Sequence, residues 1–408
     1  MTRPTRVTVD DEAAAALRRG RPYVFREAIV GRPVADPGDF VELCDKKGAF
    51  LGRGLADPES ALSVRVLTRD EGALDLDALV HARLAAAMRL RERFLDLAAT
   101  EAYRLCNGEG DGLSGLAIER YGAFGVVELT TPAWEPHRGL VVAALRAALA
   151  SPAESPPSRA ATLAGIVEKS RLRPGRSGEV VRHLFGEEPP ETLWVREGPA
   201  RFCVELRGTG KSGLFIDQRE TRATLAGGRI TRGGAVLNAF SYTGSLSCAA
   251  GLGQATQVTS LDLSRPALMR ARRNYEGNGL DPAQHEVIEG DAFQELPALV
   301  KKGRRFDTVI LDPPAFATTK KRVFQAERHY ADLVALAARL LREGGVLVAS
   351  TPMAALPLRD FEEALAKGAS EAKATLRVFD SRSQPADHPV DPGCPEKRYL
   401  KILFAVRE

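Results

Sequence analysis

The chain has 408 residues, of which 44% are hydrophobic and 27% charged, and its formal net charge is +4. These values exclude a fibrous or disordered chain and predict two or three folded domains. Runs of about 18 uncharged apolar residues are absent, and the N-terminus lacks an apolar segment of signal-peptide length, so we expect a cytoplasmic protein without a membrane span.

The five cysteines form no CxxC pair and no Cys/His cluster with zinc spacing. We therefore expect reduced thiols and no metal site. The mild positive charge is compatible with nucleic-acid binding but does not require it.

The first part of the chain is predicted to be rich in β-structure, with short apolar runs separated by Gly, Asp-Pro and Lys-Lys-Gly turns. A helical stretch rich in Ala, Leu and Arg follows, then strands around a glycine-rich turn and a second helix. A basic loop comes next, which is either a solvated surface loop or an edge that faces phosphate; its predicted RNA-binding residues are Lys169, Arg171 and Arg173.

From about residue 205, strand-like runs alternate with helical runs, a pattern typical of an open sheet with helices on both faces. The last run, "YLKILFAV", follows another strand without an intervening helix, which indicates an antiparallel insertion at the sheet edge. We predict domains at 1–72, 73–204 and 205–408, with strands at "AVLNAF", "QVTSLD", "EVIEG", "FDTVILD", "GVLVAS", "LRVFD" and "YLKILFAV".

Ligands of such sheets lie at the carboxyl ends of the strands, so the residues that end each strand matter most. A turn that closes with Gly244 follows the first strand, and Asp262, Asp291 and Asp312 follow the next ones. GxGxxG and P-loop motifs are absent, which disfavours a nicotinamide enzyme or an NTPase. A glycine turn with acids on the following strand ends suits a nucleoside without phosphates, such as S-adenosylmethionine, with Asp262 on the ribose and Asp291 near the adenine.

The stretch "LDPPAFATTKKR" ends a buried strand with an acid and two prolines. The prolines fix the loop, so that Asp312 can hold the edge of a base while Phe316 stacks on it. A plain strand-ending turn with Phe316 in the core is the structural alternative. The basic residues that would meet RNA phosphate here are Lys320, Lys321 and Arg322.

The motifs "GLFIDQRETR", "LNAFSYTGS", "LDLSRPALMRARRN", "EGDAF" and "LDPPAF" resemble, in order, those of class I S-adenosylmethionine-dependent rRNA methyltransferases. The resemblance covers nearly the whole chain. "RRGRPYVFREAIV" is similar to an N-terminal PUA domain, and "ADHPVDPGCPEKRYLK" to a C-terminal family segment. It implies an α/β fold: a Rossmann-like methyltransferase sheet, an N-terminal PUA-like β-barrel and a central α+β domain. The architecture is similar to that of the PUA-containing 23S rRNA cytosine-C5 methyltransferases of bacteria.

The resemblance also implies the site residues. The catalytic set would be Asp312, Pro313, Pro314 and Phe316. The residues that would bind S-adenosylmethionine are Phe215, Asp217, Gln218, Arg219, Asn238, Phe240, Ser241, Tyr242, Thr243, Gly244, Asp262, Leu263, Ser264, Asn278, Asp291, Ala292 and Asp312.

One departure from the cytosine-C5 family concerns its nucleophile. Cytosine C5 becomes reactive only after a cysteine thiolate adds to C6. The family cysteine lies after the strand that follows the Asp-Pro-Pro loop, where this chain has Ser350-Thr351-Pro352. Cys248 and Cys394 are the nearest candidates by region, although a buried or a chance surface position is the simpler interpretation of each.

The catalytic motifs are also similar to those of a guanine-N7 rRNA methyltransferase module, which uses no cysteine because N7 has its own lone pair. The sequence thus favours a methyltransferase of large-subunit rRNA, at cytosine C5 by architecture, or alternatively at guanine N7 or another base nitrogen. Two further hypotheses are a non-catalytic, S-adenosylmethionine-binding ribosome assembly protein and a small-molecule methyltransferase. The expected partners are large-subunit rRNA or its assembly intermediate and a second copy in a homodimer.

Overall fold

The structure, a computed structural model, describes residues 4–31, 35–72, 75–150, 162–170, 172, 180–318 and 323–408, and only the backbone of 316–318 and 323–327. These residues form two compact units, and each unit gathers more than one stretch of sequence. Unit 1 contains residues 1–193, 205–211 and 386–397, and unit 2 contains residues 194–204, 212–385 and 398–408. One division between the units falls at 204/205, and none falls at 72/73.

Unit 1 contains two five-stranded sheets. The first has the strand order β1-β3-β4-β5-β2, and the apolar side chains of these strands pack with one helix. Its elements are β1 (Arg6–Thr8), α1 (Asp11–Arg18), β2 (Tyr23–Phe25), β3 (Phe40–Cys44), β4 (Phe50–Ala56) and β5 (Leu62–Thr68).

The second sheet of unit 1 has the order β10-β9-β8-β7-β6, with β8 and β9 parallel and the other pairs antiparallel. Two helices pack on it around Trp134, which is fully buried. Its elements are α2 (Leu76–Phe94), β6 (Ala102–Asn107), β7 (Leu116–Tyr121), β8 (Phe124–Leu129), α3 (Arg138–Ala150), β9 (Gly165–Ser170) and β10 (Val180–Gly186).

Unit 2 is built on a seven-stranded sheet in the order β15-β14-β13-β16-β19-β21-β20. Short apolar runs form its central strands, which are buried on both faces, as in a parallel sheet covered by helices. Its strands and hairpins are β11 (Leu193–Glu197), β12 (Ala200–Val204), β13 (Ala235–Ala239), β14 (Gln257–Asp262), β15 (His285–Glu289), β16 (Phe306–Leu311), β17 (Phe316–Thr318), β18 (Val323–Gln325), β19 (Leu341–Thr351), β20 (Leu376–Arg382) and β21 (Lys401–Arg407).

The helices of unit 2 form two layers, one on each face of the sheet. The first layer contains α4, α5 and α6, and the second contains α7, α8 and α9, whose apolar residues join the sheet in one core. The helices are α4 (Arg219–Ala226), α5 (Ser245–Leu252), α6 (Arg265–Gly277), α7 (Ala292–Lys301), α8 (Ala326–Leu340) and α9 (Leu358–Glu371).

The predicted strands of unit 2 and their alternation with helices are confirmed. The strands β15, β14, β13, β16 and β19 are parallel, whereas β21 is antiparallel to both of its neighbours. The antiparallel insertion is therefore confirmed, but its predicted place at the sheet edge is wrong: β21 lies between β19 and β20, and β20 forms the edge. No helix among the described residues is long and apolar enough to cross a bilayer.

Candidate active site

Five parallel strands of unit 2 bring their carboxyl ends to one edge of the sheet, because parallel strands all point the same way. Asp262 is the last residue of β14, and Asp312 follows β16 directly. The residues Ser350 and Thr351 end β19. The sheet thus places the ends that the sequence singled out side by side.

The loop 240–244 after β13 has an unusual backbone. Phe240 and Tyr242 have φ angles of 63° and 49°, a region that costs roughly 1–3 kcal/mol for residues other than glycine. Hydrogen bonds hold the loop in this shape: Asp262 Oδ2 accepts from the Tyr242 backbone N–H at 2.8 Å, and the Asn274 side chain donates to the Thr243 carbonyl at 2.9 Å. Strain maintained in this way is typical of ligand-binding loops.

Gly244 ends this loop and precedes α5. Its φ angle is 72°, and a Cβ atom here would lie 2.7 Å from the Cβ of Ala271 on α6. Only glycine allows both the left-handed backbone and the close approach of the two helices. The predicted tight turn therefore has a specific structural requirement for glycine.

Two buried polar atoms near this loop have no hydrogen-bond partner among the described residues: Asn238 Oδ1 and Ser241 Oγ. Such atoms cost about 1–3 kcal/mol each unless a ligand or water satisfies them. The Asn238 amide donates its other end to Ser247 Oγ at 2.9 Å, which fixes its orientation. An acceptor and a hydroxyl here fit the ammonium and carboxylate groups of a bound amino acid moiety.

Asp262 has a second structural task, since its Oδ1 accepts from the Ser264 backbone N–H at 2.8 Å. A carboxylate has about four lone-pair sites, so capacity remains for ribose hydroxyls. The neighbouring Leu263 is 59% exposed and offers an apolar surface to a flat ring. Ser264 also caps α6, because its side chain accepts from the Ala267 backbone N–H.

Asp291 caps α7 by accepting from the Phe293 backbone N–H at 2.9 Å, and Ala292 is buried in the first turn of that helix. Helix capping explains this acid without any ligand. Its predicted place near an adenine is compatible with its position after β15, at the same sheet edge as Asp262.

A compact hydrogen-bonded group surrounds Asp312. Ser350 Oγ donates to Asp312 Oδ1, and Gln218 Nε2 contacts both Asp312 Oδ1 and Ser350 Oγ at 3.2 Å. Thr221 Oγ1 donates to Gln218 Oε1 at 2.8 Å, so both ends of the Gln218 amide have hydrogen-bond partners. Tyr330, fully buried, donates to the Ser350 carbonyl at 2.8 Å and secures the end of β19.

Burial raises the pKa of Asp312 to about 6, and the nearby Asp217 carboxylate also raises it, against the lowering effect of the Ser350 hydrogen bond. Asp217 itself accepts from Tyr399 Oη at 2.6 Å. Pro313 is buried and Pro314 exposed. At neutral pH the Asp312 carboxylate is mostly ionised and accepts hydrogen bonds. At a pH near 6, about half of these groups carry a proton.

The predicted segment 215–219 lies against the loop 240–244. Phe215 is 42% exposed, and its ring centroid is 5.2 Å from that of Tyr242. Arg219, at the start of α4, is buried. Two residues that the sequence analysis missed anchor this segment: Arg222 forms a buried bidentate pair with Glu197 at 2.6 and 2.7 Å and donates to the Phe215 carbonyl at 2.7 Å.

Ser350 and Thr221 were also missed as site residues. The signal for Ser350 was its place at the end of a core strand, whereas Thr221 and Arg222 offered no signal beyond their nearness to "IDQR". Thr221 pairs with Gln218, three positions away, whereas Ser350 and Arg222 meet partners 38 and 25 positions away, which only the fold brings close.

Asn278 is not brought to this site. It follows the last turn of α6, whereas Asp262 precedes the first turn, and a helix of 13 residues spans about 20 Å. Its amide instead pairs with the backbone N–H and C=O of Arg201, at 2.8 Å each. Asn278 thus lies at the other end of α6 from Asp262, where its side chain holds β12.

Of the predicted RNA-binding residues, Lys169 is described: it lies in β9 of unit 1 and is 7% exposed, so it is part of a strand rather than of an open loop. The others, and the side chain of Phe316, lie outside the described residues: Arg171, Arg173, Lys320, Lys321 and Arg322. The backbone of Phe316 begins β17, which pairs with β18 in a short hairpin.

All five cysteines are buried. Burial raises the pKa of the Cys248 thiol well above its ordinary value, and raises that of Cys394 to about 12. Neither thiol is a thiolate at neutral pH, and Cys394 belongs to unit 1 rather than to the unit that contains Asp312. The two candidate nucleophiles are therefore unsuited to that role.

Comparison with known proteins gives a consistent result. A family model described as S-adenosylmethionine-dependent methyltransferase matches residues 104–402, and one described as a PUA-like domain matches residues 7–69. Proteins named ribosomal RNA large subunit methyltransferase I from Aeromonas hydrophila and Photobacterium profundum are each 35% identical to the chain. These alignments cover 95% of this chain in both cases, and 96% and 95% of the relatives.

Solved structures agree with these matches. A methyltransferase in complex with SAH is similar with a TM-score of 0.87 at 27% identity, over 98% of this chain and all of the other. An S-adenosylmethionine-dependent methyltransferase from Streptococcus mutans gives 0.84 at the same identity, again over 98% and 100%. The fold and the family sequence thus extend together over nearly the whole chain.

Proposed function

Since the chain belongs to the family of S-adenosylmethionine-dependent methyltransferases that includes the ribosomal RNA large subunit methyltransferase I proteins, we propose that it methylates a base of large-subunit ribosomal RNA. The observation that supports this most directly is the hydrogen-bonded cluster of Asp312, Ser350 and Gln218, which lies at the sheet edge beside the predicted cofactor loop. The PUA-like domain is a module suited to RNA rather than to a metabolite.

S-adenosylmethionine is the cofactor and supplies an electrophilic methyl group. In the proposal, the loop 240–244 with Asn238 and Ser241 holds the methionine end, Asp262 the ribose and Asp291 the adenine. The strained loop, fixed by Asp262, keeps these groups in place before the cofactor arrives, so little ordering is needed on binding.

The Asp312 carboxylate would accept a hydrogen bond from an N–H on the edge of the target base. Ser350 and Gln218 hold the carboxylate so that its free lone pairs keep one direction. Pro313 and Pro314 would fix the loop and Phe316 would stack on the base. The base must leave its helix to reach the sheet edge, so we expect an unstacked or flipped nucleotide.

The proposal also concerns which atom of the base receives the methyl group. Methylation of cytosine C5 needs a thiolate, and the buried Cys248 and Cys394 do not supply one. A base nitrogen with its own lone pair, such as guanine N7, needs only orientation and a nearby methyl donor. The buried thiols therefore favour a nitrogen acceptor over C5.

Mass spectrometry of rRNA nucleosides from a deletion strain tests the proposal. We expect one methylated nucleoside to be lost from large-subunit rRNA and to return when the purified protein and S-adenosylmethionine are added. Unchanged rRNA, together with no methyl transfer in vitro to naked rRNA or to assembly intermediates, would rule out this function.

RNA that contains 5-fluorocytosine tests the acceptor atom separately. A C5 enzyme is trapped on such RNA as a covalent adduct through its cysteine, and we expect no adduct here. A trapped complex, mapped to a cysteine, would restore the C5 mechanism while leaving the proposed substrate intact.

A further inference from the structure

We infer that the hairpin β11–β12 and the C-terminal end of α6 form a second RNA-binding surface, which contacts backbone phosphates away from the target base. This inference rests on the proposed function, since it assumes an RNA substrate. The surface consists of residues of unit 2 and lies at the other end of α6 from Asp262, about 20 Å away by the length of the helix.

The surface is basic and concave. Arg196 and Arg201 line a cavity of about 360 Å³ together with residues 199–200 and 277–279, and both arginines are exposed. Arg273, also exposed, lies on the last turns of α6. Glu276 is the acidic residue of that last turn, so the positive charge predominates. The planar guanidinium group matches phosphate oxygens in a bidentate manner.

The hairpin is fixed rigidly to α6. Asn278 binds both the N–H and the C=O of Arg201, and Asn274 Oδ1 accepts from the Cys203 backbone N–H at 2.8 Å. Trp194 packs directly on the helix, because a Cβ atom at position 277 would lie only 2.3 Å from its indole ring. The Asn278 side chain thus has a structural role, because it holds the hairpin to the end of α6.

The ring of Trp194 also contacts two of these arginines. The guanidinium carbons of Arg201 and Arg273 lie 5.2 and 5.9 Å from the centre of its ring. Cation–π contacts of this kind stabilise the hairpin and hold the two guanidinium groups beside the cavity that Arg196 also lines. An aromatic platform between exposed arginines next to an open cavity is the combination that single-stranded RNA meets in its binding proteins.

The test uses Arg196→Ala, Arg201→Ala and Arg273→Ala, singly and together, in the full-length protein. The probe is in vitro transcribed large-subunit rRNA, and the readout is its affinity over a range of salt concentrations. The measured quantity is the slope of the logarithm of the binding constant against the logarithm of the salt concentration. Removing one phosphate contact reduces this slope by about one, so the triple variant should reduce it by about two to three. We expect a higher KM for RNA with an unchanged kcat.

Two controls separate this effect from damage to the fold. Arg359→Ala removes an exposed arginine of α9 that pairs with its neighbour Glu363, and should leave the salt dependence unchanged. Arg201→Lys and Arg273→Lys keep the charge but lose the planar guanidinium, so they should keep the wild-type salt dependence while binding RNA more weakly than the wild type. Cofactor affinity, measured by calorimetry, should be the same in all variants.

A triple variant that folds and keeps the wild-type salt dependence would overturn the inference. So would a defect confined to assembled subunits, because that would indicate a protein partner. The proposed function fails independently: if the wild-type protein methylates no rRNA but the arginine variants still lose RNA affinity, the surface stands and the enzymatic assignment does not.

Discussion

Asp262 and Asp312 are the same residue type at the ends of the two strands that flank β13, yet their surroundings differ. The Asp262 carboxylate accepts hydrogen bonds from the backbone N–H groups of Tyr242 and Ser264, and the first of these fixes the loop 240–244. The Asp312 carboxylate is held by side chains, Ser350 and Gln218, and burial raises its pKa. Backbone N–H groups thus surround one carboxylate, whereas the other is desolvated and takes up a proton at a higher pH.

The largest effect is expected from Asp312→Asn, which keeps the shape and the contacts with Ser350 and Gln218 but removes the charge. Loss of a positioned acceptor or base typically costs 10²–10⁴ in rate, so we expect at least about a 100-fold drop in kcat. Cofactor affinity, followed by calorimetry, should be retained. Wild-type turnover in this variant would show that Asp312 has no part in the reaction.

Asp262→Ala should act on the cofactor instead. It removes the acceptor for two backbone N–H groups, and each charge-assisted hydrogen bond contributes about 1.5–3 kcal/mol. We expect S-adenosylmethionine affinity to fall by roughly 10- to 100-fold, measured by calorimetry. If affinity stayed constant while kcat fell, Asp262 would act in the methyl-transfer step, as proposed for Asp312, and not on cofactor binding.

Gly244→Ala probes the loop that Asp262 holds. The new Cβ meets both an unfavourable φ angle and Ala271, so we expect a loss of about 2–4 kcal/mol in the free energy of unfolding. Gly233→Ala is the matched control: its φ angle is also 72°, but nothing lies within 4 Å of the added atom. That variant should lose only about 1 kcal/mol. Equal losses in denaturant titrations would mean that contact with α6 is unimportant.

The pH dependence of stability sharpens the interpretation of Asp312. Its pKa is about 6 in the folded protein, above the ordinary 3.8, so the folded state binds the proton more tightly than the unfolded state. The ionised carboxylate therefore destabilises the fold above pH 6, and stability is regained as the pH falls towards 4. Asp312→Asn should be more stable than wild type at pH 8 by about 1 kcal/mol or more.

Chemical denaturation at several pH values checks this difference. The difference in the free energy of unfolding between Asp312→Asn and the wild type should become smaller as the pH falls through 6, because the wild-type acid becomes neutral. A gap that is constant with pH would show that Asp312 is well solvated in the folded protein. Methyl transfer by the wild type should decline over the same pH range as the carboxylate takes up its proton.

The smallest effect is expected from Cys248→Ala. The thiol is fully buried in α5 and burial raises its pKa, so it behaves as a small apolar group. We expect some loss of stability from the missing volume but a kcat equal to that of the wild type. An inactive variant that folds and binds cofactor would make Cys248 a participant in the reaction.

Local sequence patterns were sufficient to predict the strands of unit 2 and the acids that end them. Alternating apolar runs and helices allow few arrangements, and parallel strands necessarily bring Asp262 and Asp312 to one edge. Local rules likewise identified the turn at Gly244. The prediction was wrong about the edge of the sheet, because local pattern does not record which strand pairs with β21.

The hydrogen-bond partners of each polar side chain, in contrast, depend on the folded chain. Asp262 and Asp312 both follow buried strands, and their different surroundings include partners 20 and 94 positions away, Tyr242 and Gln218. Asn278 directly follows α6, so it lies at the other end of that helix from Asp262. There its side chain forms hydrogen bonds with the backbone of Arg201 in the hairpin β11–β12. Hydrogen bonds act over about 3 Å in space, and sequence spacing does not report such distances once the chain has folded.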